Sequence, residues 1–281
     1  VIDTGLVRAL VDGQFPQWAG LPLRRMAQAG SDHVIHRLGD DLAVRLPRHD
    51  GAIGQAEKEY AWLPRLAPHL PLAIPEPVAV GRPALGYPWP WAVSRWLPGE
   101  VATVEQFGES IQAATELAGF LAALQAIPAG DAPSPDGRSL AARDAETRAA
   151  IAEVSAVFDA ASMTRVWEAA LSAPEWDRTP VWFHGDFHTG NLLAVDGRIS
   201  TVIDFGGLGA GDPAKDMMMA FTLLGPGPRA AFREALAVDD ATWARGRGWA
   251  LASGLNAYTS YASIDARVAA QTTRQIAQAI S

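Results

Sequence analysis

The chain has 281 residues, 49% of them hydrophobic and 19% charged, with a net charge of −8 and no cysteine. That length allows one large domain or two lobes with a real core. The acidic balance argues against a nucleic-acid partner, and the lack of cysteine excludes disulfides and thiolate metal sites and fits a reducing compartment. No apolar run is long enough to span a bilayer, and the start has no basic-then-apolar leader signal. The expected location is therefore cytoplasmic, with no membrane partner; a trimmed N-terminus stays open, since the sequence starts at Val1.

In chain order, Asp3 to Phe15 predicts an amphipathic helix with Leu6, Val7, Leu10 and Val11 on one side and Asp3 or Thr4 as its cap. Three strand-like runs follow, Leu23 to Ala29, His33 to Leu38 and Leu42 to Leu46, separated by turns at Gly30-Ser31-Asp32 and Gly39-Asp40-Asp41. They predict a small antiparallel sheet. Ala52 to Leu66 predicts a helix that Pro64 bends in its last turn. Pro68 to Pro90 is proline-rich and predicts an extended connector; Trp91 to Trp96 is then a strand that leaves sharply through Leu97-Pro98-Gly99. Beyond it the chain turns helical, over Val104–Ile127, Leu140–Phe158 and Met163–Leu171, with a loop at Pro128–Gly137. After the stretch described next, helices are expected over Asp212–Leu224, Phe232–Leu236, Trp243–Tyr258 and Asp265–Ile280. Asp212-Pro213 is a good cap and first-turn pair.

Val181 to Asp216 concentrates polar chemistry between short apolar runs. VWF, NLLAV and ISTVID predict buried strands, the last two joined by a tight Asp196-Gly197 hairpin. Asp186 and Asn191 then share a loop, and Asp204 ends a neighbouring strand. An acid, an amide and a second acid suit phosphoryl transfer, which needs divalent metal to offset charge and a carboxylate to orient the attacking hydroxyl. The Asn191 amide and the Asp204 carboxylate are hard oxygen donors suited to Mg²⁺. Asp186, with no basic neighbour in its loop, is left as the base.

H-G-D-x-x-x-x-N, then I-D-F-G, then G-x-G-D-P-x-x-D resembles the aminoglycoside phosphotransferase family of small-molecule kinases, relatives of the protein kinases. The resemblance spans nearly the whole chain and is sharp between His184 and Asp216. It implies an α+β, two-lobed protein-kinase-like fold: a small antiparallel-sheet nucleotide-binding lobe over residues 1–98 and a mainly helical catalytic and substrate-binding lobe over 99–281. It implies Asp186 as catalytic base, Asn191 and Asp204 as metal ligands, and ATP or GTP as donor. Arg45 takes the strand position where protein kinases keep a Lys for the α/β-phosphates; as a rigid fork it changes the geometry rather than the role. The family pattern E-x-x-x-L-x-x-L places the ion-pair Glu at Glu59, with Glu57 as rival. Ser31 falls in the loop that covers the phosphates, and adenine is expected to pair with main chain near Arg95 and Leu97.

Several residues carry a plainer reading. His184 is expected to brace its loop, His188 to be an exposed loop histidine, and Asp212 and Asp216 to serve as a helix cap and a structural acid rather than as metal ligands. A metal-dependent hydrolase built on His184, Asp186, His188 and Asp204, or a nucleotide-binding pseudokinase, are the rival classes. Residues 101–160 hold nine acids against three arginines, a net −6 of the chain's −8. Either they form a solvated helix face or they wall a site that attracts cations. The second reading makes an aminoglycoside the leading acceptor, ahead of a macrolide or a choline- or homoserine-type metabolite.

Overall fold

The computed structural model describes residues 2–26, 32–133 and 139–281, which form two compact units, one of residues 1–99 with 201–206 and the other of 100–200 with 207–281. Ser31 lies outside the described residues. The fold is α+β, with an antiparallel sheet in the first unit and helices dominating the second.

The first unit opens with helix α1 (Thr4–Gln14), whose N-terminus Asp3 caps by accepting from Leu6 N–H at 2.8 Å. Five antiparallel strands follow: β1 (Leu23–Arg25), β2 (His33–Leu38), β3 (Leu42–Pro47), β4 (Pro77–Gly81) and β5 (Trp91–Arg95), in the spatial order β1-β2-β3-β5-β4. Strand β4 corrects the expected extended connector. It pairs with β5 as an edge strand, where its leading proline and a register shift between Pro77 and Ala79 are tolerated. Alternation along central β3 turns Leu42, Val44 and Leu46 toward a core shared with Val7, Leu10 and Val11 of α1 and Trp91 and Val93 of β5. Trp91 packs so closely on Gly81 that a Cβ there would lie 1.9 Å from its ring, so glycine is required. The same alternation sends Arg45 to the other face. Helix α2 (Gln55–Leu66) buries Ala56, Glu59, Leu63 and Leu66 along one stripe and leaves Glu57 exposed.

The second unit begins with β6 (Glu100–Val101) and helix α3 (Val104–Phe107), then α4 (Ile111–Ala126). A single helix over Val104–Ile127 was expected; the chain breaks at 108–110 because the Ser110 hydroxyl accepts from Ala113 N–H at 3.0 Å and restarts the helix. Helices α5 (Asp144–Glu153) and α6 (Ala160–Ser172) precede β7 (Val181–Phe183), β8 (Leu192–Val195) and β9 (Arg198–Val202). The β8–β9 turn has Asp196 and Gly197 at φ of 50° and 73°, as a two-residue hairpin demands. Strand β10 (Gly209–Gly211), unforeseen in a glycine-rich run, pairs antiparallel with β7. In place of one helix over Asp212–Leu224, a 3₁₀ turn over Pro213–Met218 leads into α7 (Met219–Thr222). Helices α8 (Pro226–Ala235), α9 (Asp240–Tyr261) and α10 (Ala266–Ile280) close the unit. Gly246 and Gly248 let α9 approach closely: Cβ atoms there would fall 2.4 Å from Met217 and from Ala170. No helix among the described residues is long and apolar enough to cross a membrane.

His33, buried on β2 and diagonal to Arg45 on the facing strand, has its ring pKa pushed down to about 4 by burial first and then by the Arg45 charge. Between its ordinary 6.5 and about 4 the unfolded chain takes up a proton that the folded unit refuses. Stability therefore falls as pH drops through that window, by about 3 kcal/mol at its acid end. Thermal melts from neutrality down to about pH 4 should show this loss, and His33→Gln should flatten it.

Candidate active site

In the second unit the site is built on the turn leaving β7. Asp216, fully buried in the 3₁₀ turn, accepts from His184 N–H at 2.7 Å and from Gly185 N–H at 2.8 Å, one on each carboxylate oxygen. Burial pushes its carboxyl up to about 7, against these two N–H donors and Lys215, which favour the ionised form. Gly185 has φ +85°, and a Cβ there would meet Gly207 O at 2.2 Å, so the turn closes only around a glycine. His184, also fully buried, accepts from Asp186 N–H through Nδ1 at 3.2 Å, which takes that nitrogen from any metal-ligand role. Asp212 caps the 3₁₀ turn, accepting from Ala214 N–H at 3.0 Å, and forms a two-pronged ion pair with Arg245 at 2.8 and 3.1 Å. Cap and structural acid are thus what these two aspartates do.

Asp186 follows with its side chain 46% exposed. Asn191 Nδ2 donates to its main-chain oxygen at 2.9 Å and to its Oδ2 at 3.1 Å, and Asn191 Oδ1 is a hard oxygen donor. His188 differs from the exposed loop histidine expected. Its Nδ1 lies 3.0 Å from Gly190 N, and its Nε2 lies 3.4 Å from Asp186 Oδ2 and 3.2 Å from Asn191 Nδ2. Asp186 therefore does have a basic neighbour, two residues on. Burial disfavours the charge of Asp186, but the His188 hydrogen bond and charge, with His184 and Lys215, outweigh it and hold the carboxyl well below the usual range.

The first unit gathers Arg45, Glu59, Gln55 and Asp204. Arg45 pairs with Glu59 at 3.2 and 3.4 Å. Burial opposes the Arg45 charge, and Glu59 and Asp204 more than offset it. Between the rivals, the helical period decides: Glu59 is on the buried stripe and Glu57 faces solvent. Glu59 Oε1 also accepts from Phe205 N–H at 3.2 Å and from Gln55 Nε2 at 2.8 Å, and Gln55 reaches Asp204 Oδ1 at 2.9 Å. Asp204 sits past the end of β9 at φ +64°. Arg95 ends β5 with a solvent-facing side chain 3.7 Å from Glu76, and Leu97 lies in the exit beyond it. Arg95 N–H donates to Glu76 O at 2.9 Å and Trp96 N–H to Asp41 O at 2.8 Å. Gln55 was not foreseen; its position four residues before Glu59 was the available signal. Among the described residues no three His, Asp or Glu side chains form a ready metal cage.

An H-G-D carboxylate with its partner amide on one unit, and an Arg–Glu pair with the I-D-F-G acid on a five-stranded antiparallel unit, define a kinase-like phosphotransferase. The chain belongs to the phosphotransferase enzyme family, whose sequence model matches residues 24–249. Solved structures of the same fold include aminoglycoside 2'-phosphotransferase-IIIa in its GDP complex, 17% identical with a TM-score of 0.76 over 99% of each chain. ADP-bound aminoglycoside phosphotransferase APH(2'')-Ib is 19% identical, with a TM-score of 0.63 over 100% of each. The macrolide 2'-phosphotransferase MphH from Brachybacterium faecium, as apoenzyme, is 25% identical, with a TM-score of 0.61 over 95% of this chain and 97% of that one. No curated protein sequence matches the chain.

The turn geometry makes Gly185 a sensitive position. Gly185→Ala must leave its left-handed conformation or push Gly207 aside, and is expected to cost about 1–3 kcal/mol. Urea denaturation gives the loss, and turnover should fall with it because Asp186 is the next residue.

Proposed function

We propose that the protein transfers the γ-phosphate of ATP or GTP to a hydroxyl of a small molecule. The observation that carries this reading is the Asp186 carboxylate on the H-G-D turn, beside His188 Nε2 at 3.4 Å and gripped by the Asn191 amide at 3.1 Å. In the reaction the acceptor oxygen bonds to the γ-phosphorus, the bond from that phosphorus to the β–γ bridging oxygen breaks, and the hydroxyl proton passes to Asp186. Arg45, oriented by Glu59, holds the α/β-phosphates. Arg95 and Leu97 bracket the main chain that meets the base. Asn191 Oδ1 and Asp204 are the oxygen donors that would hold Mg²⁺, which offsets phosphate charge when bound. Ser31 is carried as a phosphate-loop residue by resemblance alone.

For the acceptor, the excess acids of residues 101–160 support a polycationic aminoglycoside only if they are free to attract it. Many are already paired: Asp144 with Arg148 at 2.8 Å, Glu146 with Arg143 at 3.0 Å, Glu116 with Arg198 at 2.6 Å, while Asp159 caps α6. Lys215 and Arg143 both lie over the Trp249 ring, at 5.5 and 5.9 Å, and the Lys215 charge is felt at Asp186. A cation there opposes the approach of several ammonium groups to the base. Val157, Tyr261 and Ile264, all exposed, add apolar surface to the second unit. These observations favour an acceptor with few basic amines, of the macrolide type, over an aminoglycoside.

A panel of hydroxylated antibiotics and metabolites, each with ATP and with GTP and read by product mass, tests both statements. A macrolide should be phosphorylated faster than an aminoglycoside, and chelation by EDTA should stop either reaction. Asp186→Asn should lower kcat by about 10²–10⁴-fold, the usual worth of a positioned base, with nucleotide affinity retained. Near-normal turnover in that variant would remove Asp186 from the chemistry.

Arg45 has its own signature. Arg45→Ala should raise the KM for nucleotide and leave the KM for acceptor alone, and Arg45→Lys should recover part of the loss because charge returns without the fork. An unchanged nucleotide KM in the Ala variant would leave Arg45 as a partner of Glu59 only.

A further inference from the structure

Helix α2 holds the Asp204–Gly206 segment with three side chains spaced i, i+3 and i+4, which is one helix face. Gln55 Nε2 donates to Asp204 Oδ1 at 2.9 Å, Lys58 Nζ to Gly206 O at 2.9 Å, and Phe205 N–H donates to Glu59 Oε1 at 3.2 Å. The same Gln55 nitrogen donates to Glu59 Oε1 at 2.8 Å. An amide NH₂ carries two hydrogens, so one buried side chain serves both carboxylates at once. Two carboxylates sharing one small site repel each other. A lysine there would relieve the repulsion, but its charge would compete with any cation that Asp204 is to bind. A glutamine supplies the donors with no charge.

The surroundings fix that amide. A Cβ on Gly206 would lie 2.8 Å from Gln55 Oε1, so the amide packs onto the bare backbone of the glycine. Asp204 itself has φ +64°, a left-handed conformation that aspartate adopts more readily than most residues other than glycine. Gln55 is thus one contact that holds the Asp204 side chain, and it takes one oxygen.

We propose that Gln55 is a positioning residue for Asp204: its amide holds Oδ1 so that the carboxylate presents its other oxygen, already oriented, to the Mg²⁺ that accompanies the nucleotide. The inference rests on Asp204 being a metal ligand, as proposed above. Groups that hold a metal ligand from behind are worth about 10–100-fold in metal affinity or activity when removed.

The test is nucleotide binding by calorimetry, with ATP or GTP and the full chain, repeated across a series of Mg²⁺ concentrations; it needs no turnover. Gln55→Met keeps the length of the side chain and loses both donors. It should raise the Mg²⁺ concentration at which nucleotide binding tightens by about 10–100-fold, a larger change than any in metal-free nucleotide affinity, which reports the separate Gln55 contact to Glu59. Gly206→Ala should act in the same direction by displacing the amide, and the double variant should be no worse than Gln55→Met alone, since both remove one contact. If Gln55→Met melts at a lower temperature but keeps the wild-type Mg²⁺ midpoint, Gln55 only packs and the proposal fails. Should that variant not fold, an unmoved midpoint in Gly206→Ala overturns it equally. Wild-type protein whose nucleotide affinity ignores Mg²⁺ would instead refute the metal role of Asp204, and this inference would fall with it.

Discussion

The buried carboxylate of Asp216, closed over by two consecutive main-chain N–H groups, is the interaction on which the H-G-D turn depends. Those N–H groups belong to His184 and Gly185, whose chain turns too sharply for them to find ladder partners of their own. A buried N–H without an acceptor costs about 1–3 kcal/mol, and an acceptor reached from another segment is the way to keep the turn. Taking both oxygens also ties the 3₁₀ turn to the end of β7, so the position of Asp186 is inherited from a fully buried group. The glycine at 185 completes the arrangement, because the backbone of Gly207 occupies the space a side chain would need.

The first unit applies the same economy to charge. Arg45 is drawn off the hydrophobic face of β3 by strand alternation and meets Glu59 on the buried stripe of α2. Glu59 is then shared among a guanidinium, a main-chain N–H and a side-chain amide. A buried carboxylate with that many donors is well satisfied, and the helix that carries it becomes the element that sets where Asp204 points.

The surface of the second unit shows why a charge count is a weak guide to a substrate. Its acids are numerous between residues 101 and 160, yet arginines of the same segment or of a nearby strand neutralise several of them at hydrogen-bonding distance. The charge felt at Asp186 comes instead from His188, His184 and Lys215, single residues outside that segment. Local geometry, rather than composition, decides the sign felt by an incoming molecule.

The sequence by itself determined the α+β class, most helices and strands, the tight Asp196-Gly197 hairpin, and the combination of H-G-D, Asn191 and I-D-F-G that marks the family. These are local matters: periodicity, caps and turn residues act within a few positions along the chain. Tertiary structure decided the rest. It made a strand of Pro77–Gly81 and another of Gly209–Gly211, because an edge or a close backbone partner can recruit residues of poor strand propensity. It separated Glu59 from Glu57, brought Gln55 to Asp204 across 149 positions, and joined residues 201–206 to the N-terminal unit. It also turned His188 from a loop residue into the neighbour of Asp186, with Nε2 3.4 Å from that carboxylate. Contacts of that kind leave no period in the sequence, because the partner lies beyond the reach of any local pattern.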